Sequence, residues 1–144
     1  MKRLKLFFVG ALIALGALVY AGDIYFSDTG MAHFHYIDVE GSQEYNCIFH
    51  KGTTTRIEGA FTAPLYIDQL TLVCYLEVQG VLIPVNIPNQ PAFNLPADIG
   101  NTITFYLNLN VSNSFPSMQY IFHIKVKDGY GNEVAGAKFP VGIV

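Results

Sequence analysis

Between Ile103 and Val111 every second position is apolar: Ile103, Phe105, Leu107, Leu109 and Val111 alternate with Thr104, Tyr106, Asn108 and Asn110. After a break at Phe115-Pro116, Met118, Tyr120, Phe122, Ile124 and Val126 alternate with Gln119, His123, Lys125 and Lys127. A period of two sustained this long means strands with one dry face and one wet face. The same alternation, with turn signals at intervals of about 8–12 residues, recurs along the chain and predicts strands over 33–39, 54–63, 67–79, 81–87, 101–111, 117–127 and 133–143. No window shows the 3.6-residue period of a capped helix. Asp128-Gly129-Tyr130-Gly131-Asn132 is the expected hairpin between the last two strands, since Gly and Asn accept the positive φ angles of tight turns. Pro84, Pro88, Pro91 and Pro96 remove ladder donors, so an edge strand running into a long loop is expected there. The pattern is that of an all-β antiparallel sandwich of about seven strands.

The N-terminus lies outside this pattern. Lys2, Arg3 and Lys5 precede an apolar run from Leu6 to Val19, and Val19 and Ala21 stand as a small-residue cleavage signal. Residues 1–21 are expected to be a secretory signal peptide, cut after Ala21 or Gly22. An uncleaved anchor is the weaker alternative, because the run falls short of the roughly 20 residues a bilayer span needs. Residues 22–144 then form one domain, large enough to bury about two thirds of its unfolded surface. Secretion or delivery to an endosomal or lysosomal lumen follows as the expected location.

The leader holds three of the eight Lys and Arg residues, which leaves five against eleven Asp and Glu in the remainder. So acidic a domain has little with which to neutralise phosphates, and nucleic acid is not an expected partner. Cys47 and Cys74 would meet an oxidising compartment, so one disulfide is allowed. Cys74 is in phase with the apolar Leu70, Leu72, Leu76 and Val78, and a buried free thiol suits it equally well. Asn110-Val111-Ser112 is a glycosylation sequon with Asn110 on the wet phase.

Catalytic constellations are scarce. Asp28-Thr29-Gly30 has the triplet of an aspartic protease, where two carboxylates share a proton. One copy would require a homodimer, and Met31 replaces the usual small residue, so a turn with Asp and Gly in favoured places fits better. His33 and His35 would point from one strand face as two metal ligands do, but a third ligand at usable spacing is missing, and His50 and His123 add no pattern. No Gly-x-Ser-x-Gly or Gly-rich phosphate cradle occurs. The expectation is a protein that is not an enzyme and needs no cofactor or metal. What stands out is 51% hydrophobic content with 14% aromatics and no Trp. Small inward-phase residues, Gly59 beside Ile57 and Phe61, and Ala135 and Ala137 beside Phe139 and Val141, are compatible with a filled core or with room for an apolar ligand.

Gly100-Asn101-Thr102, Phe115-Pro116-Ser117 and Phe139-Pro140-Val141-Gly142-Ile143, in that order, resemble the closing third of the ML family of lipid-recognition domains, which includes sterol carriers and phospholipid transfer proteins. Gly80 to Pro88 is similar to the family's Pro-punctuated segment, Cys47-Ile48-Phe49-His50-Lys51-Gly52 to its Cys-x-x-x-Lys-Gly, and Phe26 to Gly30 to its opening motif. The resemblance implies an immunoglobulin-like sandwich whose sheets part around an apolar cavity, and binding and transfer of a sterol or phospholipid with transient membrane contact, by a monomer. Residues matching the entrance of the sterol pocket are Val85, Val111, Phe115 and Pro116. Phe105, Tyr120 and Phe122 on the neighbouring alternating strands, and Ala137, where the family carries a Trp, complete the candidate lining. The family's disulfide partners are replaced by Thr29 and Gly136, and the loop from Asn89 to Ala97 lacks its Cys pair. The competing expectation is a secreted adhesion or interaction sandwich with a filled core.

Overall fold

The structure, a computed structural model, describes residues 23–144; the expected signal peptide and its cleavage site after Ala21 or Gly22 lie outside the described residues. The strands in chain order are β1 (Ser27–Asp28), β2 (Phe34–Val39), β3 (Ile48–Phe49), β4 (Thr54–Thr62), β5 (Leu70–Val78), β6 (Val81–Val85), β7 (Thr102–Asn110), β8 (Met118–Asp128) and β9 (Glu133–Ile143). No helix occurs among the described residues. The seven expected strands are all present with ends moved by up to three residues, and β1 and β3 are additions too short to leave a periodic trace.

Two sheets face each other. One has the order β1-β9-β8-β5-β6, with β3 also on β9, and the other has the order β2-β4-β7. Every ladder is antiparallel except the short one between β3 and β9, which is parallel. In β7 the alternation of the sequence becomes strict alternation of burial, with Ile103, Phe105, Leu107 and Leu109 inside. Against them the larger sheet presents Leu72, Cys74 and Leu76 from β5, Phe122, Ile124 and Val126 from β8, and Ala135, Ala137, Phe139 and Val141 from β9, all buried. Burying a side chain of the Val, Leu or Phe class contributes about 1.5–3 kcal/mol, so this double layer is the source of the fold's stability.

The turns follow their chemistry. Gln79 and Gly80, both at positive φ (52° and 78°), form the two-residue hairpin between β5 and β6. At the β8–β9 hairpin the Asp128 carboxylate accepts hydrogen bonds from the Tyr130 and Asn132 amides, each at 2.9 Å, and from the Asn132 side chain at 3.0 Å. These bonds, the Asn132 side chain's foremost, hold the Asp128 pKa below its ordinary value.

The small residue on β4 leaves no space. A Cβ on Gly59 would lie 2.9 Å from Cζ of Phe105, so the ring already occupies the room the glycine provides. This is interdigitation, one of the two outcomes the sequence left open.

Candidate functional site

The flank between β6 and β7 carries the residues that match the sterol-pocket entrance. The Asn110 amide donates to the Asn86 carbonyl at 3.4 Å, which brings the ends of β6 and β7 together and places Val85 and Val111 at the same end of the sandwich, both buried. Phe115 is half-buried and packs edge-on against Tyr120, with ring centroids 6.4 Å apart. The Tyr120 hydroxyl donates to the Pro116 carbonyl at 2.8 Å, fixing the corner, while the Pro116 ring is exposed.

The remaining candidates lie deeper and apart. Phe122, fully buried, touches Phe49 at 5.2 Å and Phe139 at 5.4 Å between centroids. Ala137 is fully buried opposite Ile124. Phe105 sits further along the sandwich, against Phe34 at 6.1 Å and Phe93 at 5.7 Å. The layer between the sheets thus holds two groups of touching aromatic rings, Phe49-Phe122-Phe139 and Phe34-Phe93-Phe105.

A strap that the sequence did not disclose closes the rest of this flank. Past the end of β6, the Gln90 side chain takes the place of a strand, accepting from the Leu72 amide and donating to the Leu72 carbonyl, each at 2.8 Å. Asn94 does the same for β7, donating to the Thr102 carbonyl at 2.9 Å and accepting from the Thr104 amide at 3.0 Å. Two amide clamps hold the loop that lacks the family's Cys pair, and Phe93 between them points at Phe105. Each such bond contributes about 0.5–1.5 kcal/mol net.

Other candidates resolve into local structure. Cys47 and Cys74 are buried free thiols. They belong to segments separated by β9 and β8, three strand spacings or about 14 Å, whereas a disulfide needs Cα atoms within about 7 Å. Burial pushes the Cys47 thiol up to about 11, against the opposing effect of a hydrogen bond with Ser42, and raises Cys74 further. The Asp28 carboxylate accepts from the Phe34 amide at 2.9 Å and contacts His33 Nδ1 at 3.1 Å, fixing the turn into β2. His35 Nε2 pairs with the Thr62 hydroxyl at 2.8 Å. His123, on the wet phase, is covered nonetheless, because Glu77 reaches over it to bond Nε2 at 2.7 Å. No cluster of metal ligands occurs among the described residues. Asn110 is exposed at the end of β7, its side-chain oxygen accepting from Thr54 at 3.2 Å.

Thr29 and Gly136, which stand where the family would have a disulfide, do face each other. The Thr29 amide donates to the Gly136 carbonyl at 2.8 Å. The Glu133 carboxylate lies over Gly136 and accepts from the Thr29 hydroxyl at 2.7 Å, with Lys125 Nζ 3.4 Å away. A polar staple fills the place of a covalent one.

No protein-family model matches the chain. It is 28% identical over 116 residues to the dog protein named NPC intracellular cholesterol transporter 2, covering 76% of this chain and 78% of that one. It is 25% identical over 145 residues to the mouse protein of the same name, covering 94% and 97%. Among solved structures, a Niemann-Pick type C2 protein from the Japanese carpenter ant superposes with a TM-score of 0.73 at 15% identity, covering 83% of this chain and 99% of that one. The C-terminal domain of wzt shares the fold more loosely, with a TM-score of 0.61 at 10% identity over 83% of this chain and 77% of that one.

Proposed function

We propose that this protein, which resembles the ML family in the order of its motifs, its mammalian relatives and its fold, binds a sterol or phospholipid between its two sheets and carries it between membranes. The observation that carries the proposal is the agreement with a cholesterol transporter along nearly the whole of both chains. Physical support comes from the layer between the sheets, which is built of aromatic rings rather than charged groups. Lipid transfer asks for no catalytic group, and Asp28 is engaged in a turn.

Burying some 400 Å² of ligand carbon at about 25 cal/mol/Å² contributes on the order of 10 kcal/mol. Against it stand the cost of association and of parting rings that touch one another. Rings moved aside by a lipid exchange one apolar neighbour for another, which keeps that cost below the cost of exposing them. Val85, Val111, Phe115 and Pro116 are proposed to line the opening, with Phe105, Tyr120, Phe122 and Ala137 deeper. Secretion or residence in an endosomal or lysosomal lumen, a glycan on Asn110, brief membrane contact and a monomeric state complete the proposal. Among the described residues no helix is long and apolar enough to cross a membrane.

The test is extraction of the purified protein with organic solvent, mass spectrometry of the extract, and melting curves with added sterol or phospholipid. Ligand at about 100 times its Kd should add about 2.7 kcal/mol of stability. A clean extract with no thermal shift from either lipid class would replace the carrier with an interaction sandwich.

A further inference from the structure

On the flank opposite the strap, the edge of the larger sheet is broken. β1 pairs with β9 at Ala137 and Lys138, and β3 pairs with β9 at Gly142 and Ile143. Between them, at Phe139 to Val141, β9 has no ladder partner on that side among the described residues. The backbone groups of even-numbered β9 residues point there, as the Gly136 carbonyl bonded to Thr29 and the Gly142 amide bonded to Cys47 show. Pro140 falls on the same phase and has no N–H to leave unpaired. A proline that would break an interior strand is accommodated because it stands at the gap.

The gap opens into a slot of about 240 Å³. Its floor is Ile24, Cys47 and Phe139, each buried and each part of the core. Its rim is polar, with Ser27, Glu44 and Lys138, and beside it the rings of Tyr25 and Tyr45 stack at 4.4 Å. Phe139 continues inward to Phe122, so the floor is also the outer end of one of the two ring groups. An apolar floor beneath a charged rim matches an amphiphile with its chain inside and its head in water. The volume lies below the roughly 300–1,000 Å³ of a pocket for a drug-sized molecule, which favours a narrow chain over a fused-ring body.

We propose that this slot is a binding site for the linear hydrocarbon chain of a lipid, and that the chain passes between β1 and β3 to reach Phe139. The proposal rests on the lipid-carrier reading and adds a second place of admission, away from Val85 and Val111. An acyl lipid and the side chain of a sterol both carry such a chain and present the same chemistry to the floor.

Cys47 reports on the slot without any mutation. Slow alkylation of the purified protein by iodoacetamide in mildly alkaline buffer is followed by mass spectrometry, with Cys74 in the centre of the core as the internal standard. Cis-parinaric acid, a linear fluorescent fatty acid, and dehydroergosterol, a fluorescent sterol, are tested separately. The expected result is that one or both probes bind and slow alkylation of Cys47 about tenfold. Protection by cis-parinaric acid assigns the slot to acyl chains, and protection by dehydroergosterol assigns it to sterol side chains. Ser27→Trp, which narrows the rim, should weaken binding of the protecting probe about tenfold; if that variant does not fold, protection of Cys47 decides. Probe binding that leaves Cys47 as reactive as before overturns the slot and spares the carrier. Binding of neither probe overturns both.

Discussion

Introducing a thiol at each of two facing positions, Thr29→Cys with Gly136→Cys, should join β1 to β9 covalently. The two positions are joined by the Thr29 amide bond to the Gly136 carbonyl, and a Cβ on Gly136 would point at the Thr29 side chain. Gly136 does not have positive φ, so a side chain there is not strained by its backbone. What stands in the way is the Glu133 carboxylate, the far end of a flexible side chain. A bridge closing a loop of roughly 100 residues is worth about 4.7 kcal/mol in the chain-entropy account. Loss of the exposed Thr29–Glu133 hydrogen bond takes back about 1–1.5 kcal/mol, leaving a net gain of about 3 kcal/mol. For a domain of this size that corresponds to a rise in Tm of roughly 10 °C. The assay is a calorimetric melt of the oxidised double variant with and without reductant, beside a free-thiol count, in which Cys47 and Cys74 should remain reactive after unfolding. Introduced thiols that stay free under oxidising conditions, or a bridge with no gain in Tm, would refute the facing geometry.

Phe122→Ala removes a fully buried ring that touches Phe49 and Phe139, and should cost about 3–5 kcal/mol in urea unfolding at unchanged m-value. Gly59→Ala should destabilise by about 1–3 kcal/mol, because its methyl meets the Phe105 ring; pairing it with Phe105→Leu should recover part of the loss in a double-mutant cycle. The Asp128 carboxyl titrates below its ordinary value through the bonds from Asn132 and the turn amides. A depressed native pKa stabilises the fold above the unfolded pKa of about 3.9, and that contribution disappears as pH falls through the lower native value. Carbon NMR of the carboxyl should therefore show the midpoint moving upward in Asn132→Ala, and an unchanged midpoint would refute the assignment.

How much of this was legible depended on the length over which a pattern repeats. β7 and β8 announce themselves because each alternates over nine or more residues with one face buried. The Asp128 to Asn132 hairpin was legible because its chemistry is local. β1 and β3 contribute two residues each, too few for a period, and the parallel pairing of β3 is set by a distant strand. Gln90 and Asn94 sit in an irregular loop, and nothing nearby says that their amides complete the edges of β5 and β7. Gly59 was ambiguous for the same reason, since the ring that fills its place lies 46 positions away on another strand. Of the candidate site, the sequence points to Val85 and Val111 through a motif resemblance, while the slot depends on Pro140 lying between two partners distant in sequence.

If the proposed carrier reading holds, the two flanks differ in the bonds that a hydrocarbon would have to part on entry. On the β6/β7 side, access past Val85 and Val111 works against the bond between Asn110 and Asn86, and further along against four side-chain hydrogen bonds from Gln90 and Asn94. On the β9 side the ladder among the described residues is interrupted, and entry works against the Tyr25 amide's bond to the Glu44 carbonyl at 3.0 Å and the Tyr25–Tyr45 stack, which join the segments leading into β1 and β3. Beside β1 that edge is held by the Thr29 amide's bond to the Gly136 carbonyl and the Thr29 hydroxyl's bond to the Glu133 carboxylate, with no covalent link between positions 29 and 136. An opening at this edge would reach Phe139 and then Phe122 without touching the long pairing of β4 with β7. The covalent bridge between positions 29 and 136 would lock that same edge, so slower uptake of a lipid by the oxidised double variant, restored by reductant, would locate the moving part beside β1.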